Sequence, residues 1–332
     1  MPPRGVFGEE VLGPVDTLLS PVILFFALGA FAAAVRSDLA IPEAMAKAMS
    51  LFLMAAIGLK GGVQVSQAGL STDMLLTGAV GIVLSFGLPF IAFAALRSFG
   101  RLDALNAGAV AAHYGSVSVV TFATASEVLT RGGMAPAGYM VAVLALMETP
   151  AIVSGLLLAQ RGHQTQQRAG GHLWREVFLN GSVVLLLGAF AIGAVIGKAK
   201  YEPISPMFTG LWSGVLCLFL LDMGLVAVRR LRESRAVTPR LAMLGIALPL
   251  INGSIGALAG AAIGLDTGSA AALAILAASA SYIAVPAAMR LAMPKADAGL
   301  YLSMSLAITF PFNIVIGIPL FTALATLLTR VS

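Results

Sequence analysis

Two stretches set hydroxyl groups inside apolar runs: AAHYGSVSVVTFA at 111–123 and AASASYIAVPAAM at 277–289. Each carries a Ser-x-Ser pair, Ser116 with Ser118 and Ser279 with Ser281. His113, Tyr114 and Gly115 precede the first pair; Ala280 and Tyr282 sit within and after the second, with Pro286 beyond. A serine hydroxyl both donates and accepts, so paired serines can hold an anion or offer oxygen to a cation. Proline lacks an N–H and clashes with the preceding turn. A half-helix that begins at a break turns free N–H groups and a positive dipole end toward an anion. A lone serine in an apolar helix more simply bonds its own backbone or lets helices approach. Two pairs at corresponding places favour one shared polar site, with Gly115, Ser116, Ser118, Ser279, Ala280, Ser281 and Tyr282 as its candidate substrate-binding residues.

A second polar set flanks two prolines. Glu148 and Thr149 stand just before Pro150; Thr309 precedes Pro311, and Asn313 follows it. An acid within a membrane span costs roughly 2.5–3.5 kcal/mol or more, so it usually has a task. A carboxylate among hydroxyl and carbonyl oxygens suits coupling to Na+ or H+; a neutral, packed carboxyl is the alternative. Glu148, Thr149, Thr309 and Asn313 are therefore the candidate cation-binding residues. Tuning roles are open for His113, Tyr114, Asn252 and Asp222. His113 can relay protons or simply bond a carbonyl. Glu127, nine residues after Ser118, reads as interfacial, and Lys60 as a snorkelling lysine.

The elements that must position these groups follow from composition. Of 332 residues, 59% are hydrophobic and 11% charged, against roughly 25% charged in soluble domains. With a mean hydropathy of +0.96, the chain reads as an all-α polytopic membrane protein. Its one cysteine, Cys217, excludes an intramolecular disulfide, and the three histidines have no metal-ligand spacing. No cofactor or nucleic-acid motif is present. A span needs about 20 apolar residues. Ten candidates emerge: 18–35, 43–63, 73–96, 104–128, 136–160, 177–197, 207–228, 240–264, 268–291 and 298–328. The first follows an acidic leader (Glu9, Glu10, Asp16) and is expected to be a retained span, not a signal peptide. Spans four and nine are expected to be discontinuous, and Pro311 or Pro319 can interrupt span ten.

These spans also predict sidedness. Of the 20 Lys and Arg residues, only Arg4, Lys60, Arg131, Lys198, Lys200 and Arg330 fall on one side. The positive-inside rule makes the other side cytoplasmic and puts both termini outside. The polar linker QRGHQTQQRAGGHLWRE (160–176) separates five spans from five. Residues 1–160 then form one repeat, 161–176 a cytoplasmic linker, and 177–332 a second repeat of opposite orientation. AGYMVAVLALMETPAIVSG (137–155) aligns with AGLYLSMSLAITFPFNIVI (298–316), and FLMAAIGL (52–59) with LFLLDMGL (218–225). Inverted repeats with interrupted helices point to a secondary transporter.

At these residues the chain resembles the SbtA-type sodium-dependent bicarbonate permeases. The resemblance rests on LAIPEAMAKAMSLFLMAAIGLKGGVQVS (39–66), GSVSVVTFATASEVL (115–129), METPAIVSGLLLA (147–159), AASASYIAVPAAMR (277–290) and IGIPLF (316–321). It implies two inverted five-helix repeats arranged as core and gate domains, an elevator-like carrier, a homotrimer, and bicarbonate with Na+ bound beside the broken helices. It also implies an inner (plasma) membrane location in the lipid bilayer and the possibility of a PII-like regulator. The family's ninth-span motif carries an acid where this chain has Tyr282, and His113 and Tyr114 replace smaller residues. Cation-coupled import of bicarbonate is thus the expected function, with no enzyme activity and no cofactor beyond Na+ as coupling ion. Another small carboxylate driven by Na+ or H+, or a passive anion channel, are the alternatives.

Overall fold

The computed structural model describes residues 19–69, 71–160, 181–233 and 237–330. The linker 161–176 and both chain ends therefore lie outside the described residues. The fold is all-helical, with no strand among the described residues. In chain order the helices are α1 (Pro21–Ala34), α2 (Glu43–Ala68), α3 (Thr72–Ser98), α4 (Ala104–Gly115), α5 (Val119–Arg131), α6 (Met140–Glu148) and α7 (Pro150–Gln160). After the linker come α8 (Gly181–Tyr201), α9 (Trp212–Glu233), α10 (Pro239–Ala262), α11 (Thr267–Ala278) and α12 (Ala284–Ala292). The last helical run, α13, covers Ala298–Thr329.

Among the described residues, six stretches are long and apolar enough to cross a membrane: α2, α3, α10, α13, the run Val183–Ile204 that takes in most of α8, and the run Met140–Ala159 formed by α6 and α7. Helices α1 and α11 are apolar but shorter. Large aliphatic side chains cover the outside; Val195 is 86% exposed and Val83 69%. Such a surface is tolerated in lipid and not in water.

Small residues set the closest helix pairs. A Cβ on Gly62 of α2 would meet the Phe190 carbonyl and the Ala194 nitrogen of α8, and one on Gly193 would meet the Leu59 carbonyl of α2. Gly29 of α1 and Gly224 of α9 make the equivalent approach. Without a hydrophobic force between helices in lipid, backbone proximity of this kind supplies the packing contact. Helices α2 with α8 and α1 with α9 make one group; α3 to α7 pack with α10 to α13.

The helix breaks differ in kind. Residues 116–118 leave the helix between α4 and α5, and residues 279–283 between α11 and α12. Pro286 is not the breaking residue. It lies in the first turn of α12, where a missing N–H leaves no helical bond unmade. In contrast, α13 stays helical through Pro311 and Pro319. Wide π turns at Ser303–Thr309 and Asn313–Gly317 flank Pro311.

Candidate functional site

The two unwound segments bond each other. Ser281 N–H donates to the His113 carbonyl (3.0 Å), and Ser118 N–H donates to Ser279 Oγ (3.0 Å). His113 Nδ1 lies 2.5 Å from the Ser281 carbonyl. A carbonyl only accepts, so Nδ1 carries the proton and Nε2 is left as an acceptor. Nε2 is buried with no partner among the described residues, and the imidazole stacks on Tyr301 with ring centroids 4.7 Å apart. His113 thus fastens one break to the other.

Neighbouring side chains take up the carbonyls that the breaks release. Asn252 Nδ2 donates to the Tyr114 carbonyl (3.0 Å) and Asn313 Nδ2 to the Ala278 carbonyl (2.9 Å). The Tyr114 hydroxyl lies 2.7 Å from Thr309 Oγ1, which itself donates to the Gly245 carbonyl (2.6 Å). Tyr114 is therefore the donor to Thr309. These bonds satisfy groups that would cost several kcal/mol each if left unpaired in an apolar interior. Gly115 is required here because a Cβ would run into the Pro89 ring and come 2.7 Å from the Ser85 carbonyl.

The interruption before Pro150 is built in the same way. Ser85 Oγ donates to the Met147 carbonyl (2.5 Å) and accepts from Ala151 N–H (3.2 Å). One hydroxyl thereby replaces the helical bond from residue 151 to residue 147. Ser116 Oγ donates to the Glu148 carbonyl (3.1 Å). The Glu148 side chain, 3% exposed, keeps Oε2 buried and unpartnered among the described residues.

The four serines divide by role. Ser116 donates to the Glu148 carbonyl and Ser279 to the Leu276 carbonyl (2.8 Å). Their protons are spent on the protein. Ser118 instead caps α5, its Oγ accepting from Thr121 N–H (3.2 Å), and Ser281 Oγ accepts from Val285 N–H in the first turn of α12 (3.5 Å). Neither of these hydroxyls donates in hydrogen-bond geometry to a described residue. The Tyr282 hydroxyl faces the Ser118 side chain but is buried with no hydrogen bond among the described residues.

Ser118, Glu148, Ser281 and Tyr282 meet at a cavity of about 10 Å³ whose other walls are Met54, Val117, Val119 and Ile283. This is room for about one water molecule. The N-termini of α5 and α12 both open on it. Free N–H groups, two uncommitted serine hydroxyls and a phenol give it donors; Glu148 supplies an acceptor. Among the described residues, no Lys or Arg lines it.

Among the sequence candidates, Gly115, Ser116, Ser279, Ala280 and Thr149 lie within two residues of lining residues in the chain without lining the cavity, and His113, Tyr114, Asn252, Thr309 and Asn313 brace the breaks behind it. Asn252 and Asn313 each keep a buried, unpartnered Oδ1. Asp222 is buried on α9, outside the cavity. Among the described residues no three His, Cys, Asp or Glu cluster as a metal site. Sequence reading passed over Ser85 and Met54. Nothing in an apolar helix marks one serine or methionine above another until its neighbours are known.

A buried polar site between two facing helix breaks, inside an apolar multi-pass bundle, is the construction of a membrane transporter. Residues 21–326 match the Na+-dependent bicarbonate transporter superfamily, and the chain belongs to that family. A search of curated proteins found no match. Membership implies Na+-dependent bicarbonate transport by a multi-pass membrane protein.

Proposed function

We propose that the protein imports bicarbonate with Na+ through the cavity where the two helix breaks meet, by an elevator-like alternating-access movement. The observation that carries this reading is the convergence of Ser118, Ser281, Tyr282 and Glu148 on one cavity at two half-helix N-termini. Bicarbonate is small, planar and monovalent. Donors of the N–H and O–H type suffice for it, and the lack of a lining Lys or Arg among the described residues disfavours a polyanion. Na+ is a hard cation that takes oxygen ligands; Glu148, Thr149, Thr309 and Asn313 remain its candidate ligands.

A cavity sized for one water is too small for bicarbonate, which has four non-hydrogen atoms. This supports an occluded state that must open. Among the described residues, Met54 is the one lining residue contributed by the α1, α2, α8 and α9 group. In the proposed movement, that glycine-packed group is the gate and the remaining helices are the core that slides past Met54. The pairing of α1 with α9 and of α2 with α8 supports two inverted five-span repeats, because an inverted repeat interchanges spans one and six, and spans two and seven. Ten spans follow when α4–α5, α6–α7 and α11–α12 each count as one interrupted span. Both termini outside the cytoplasm, a homotrimer and a PII-like regulator complete the reading. A second substrate class, another small carboxylate, is favoured by Tyr282 standing where relatives by resemblance carry an acid.

Uptake of labelled bicarbonate into proteoliposomes, with and without an inward Na+ gradient, tests the proposal. Gradient-dependent accumulation is expected. Its absence overturns the bicarbonate assignment.

A further inference from the structure

A second cavity, about 270 Å³, opens at the opposite end of α5, away from the Ser118 break. Its walls come from both helix groups: Lys60 and Gln64 of α2, Tyr201 of α8, Trp212 of α9, and Phe122 and Glu127 of α5. Charge in it is unequal. Glu127 is fully engaged: Oε1 takes Arg131 Nε (2.7 Å) and Ser213 Oγ (2.8 Å), and Oε2 takes Trp212 Nε1 (2.9 Å). Arg131 cancels its charge. Lys60 makes no ion pair among the described residues. Tyr201 is 8% exposed, and its hydroxyl is buried with no hydrogen bond among the described residues. A buried donor without an acceptor normally has an explanation, and here it borders a cavity that also carries an uncompensated ammonium.

We propose that this cavity binds an organic monocarboxylate. Its carboxylate pairs with Lys60 and accepts from the Tyr201 hydroxyl, and its apolar body packs among Phe122, Phe208 and Trp212. The volume suits a ligand near the small end of ordinary pockets, and the aromatic walls supply contact that bicarbonate itself cannot use. A ligand seated there touches α2, α8 and α9 on one side and α5 on the other, so it ties the two helix groups together.

The test is a binding assay and does not depend on the transport reading. The chain has two tryptophans; Trp174→Phe leaves Trp212, in the cavity wall, as the reporter. Titration of the detergent-solubilised Trp174→Phe protein with benzoate is expected to change its fluorescence saturably. Benzamide, of the same shape without charge, is expected to bind at least about tenfold more weakly, as is benzoate to Lys60→Met or Tyr201→Phe, the loss of one charge-assisted contact. Lys60→Arg keeps the charge and is expected to retain binding within about threefold, which separates loss of charge from misfolding. A linear, unsaturable fluorescence change, or equal benzoate affinity in Lys60→Met and its parent, overturns the proposal.

Discussion

Replacing Tyr282 by Phe separates a ligand-binding hydroxyl from a structural one. The phenol oxygen is buried, with no hydrogen bond among the described residues, in a wall of the 10 Å³ cavity. An unsatisfied buried polar group destabilises a fold by about 1–3 kcal/mol. Deleting the oxygen therefore removes an unfavourable term and leaves the ring, which packs edge-on against Phe310 with centroids 5.2 Å apart. Thermal unfolding of Tyr282→Phe is expected at or above the temperature of the parent. Transport is expected to move the other way. A hydrogen bond to a charged group contributes about 1.5–3 kcal/mol, so the half-saturating bicarbonate concentration should rise roughly tenfold to a hundredfold. Na+-driven uptake in proteoliposomes gives the second quantity, and unfolding in detergent the first. Parental uptake by Tyr282→Phe would refute the reasoning, since the hydroxyl would then touch no substrate. Loss of stability would refute it too, by revealing a structural partner for that oxygen.

Three other outcomes follow from the same geometry. Ser118→Ala with Ser281→Ala removes the uncommitted hydroxyls and should weaken bicarbonate affinity by at least about tenfold, whereas Ser116→Ala with Ser279→Ala removes bonds between protein groups and should lower the unfolding temperature as well; uptake kinetics and thermal scans on both double variants check the division. Glu148→Gln keeps the shape of the side chain and loses its charge. A unit charge about 4 Å from a cation is worth at most about 4 kcal/mol near a protein surface, so half-saturating Na+ should rise by up to roughly a thousandfold, and unchanged Na+ activation would remove Glu148 from the coupling site. Gly115→Ala drives a methyl into Pro89 and the Ser85 carbonyl; overpacking of this kind costs about 1–3 kcal/mol, read as a lower unfolding temperature.

How far sequence reaches can be argued from single residues. The breaks at 116–118 and 279–283 were legible because Ser-x-Ser beside Gly or Pro contradicts the helix-forming apolar run around it. The apolar lengths were legible for the same reason that a bilayer fixes how long a span must be. What sequence could not say is which hydroxyl of each pair is free. That depends on the acceptor opposite: the Glu148 carbonyl is open to Ser116 while Ile152 N–H, its donor in a regular helix, bonds the Thr149 carbonyl instead. Proline was misleading for a related reason. It removes a donor, but whether a helix then breaks depends on who satisfies the stranded carbonyl. Around Pro150 the chain is interrupted and the Ser85 hydroxyl takes the neighbouring Met147 carbonyl and Ala151 N–H, at Pro311 the helix runs on between two widened turns, and at Pro286 the position at the helix start leaves nothing stranded. Sequence marks where backbone groups are released; only the fold says what receives them, and among the described residues two of the buried side-chain atoms left without a partner, Tyr282 Oη and Glu148 Oε2, belong to residues that line the cavity.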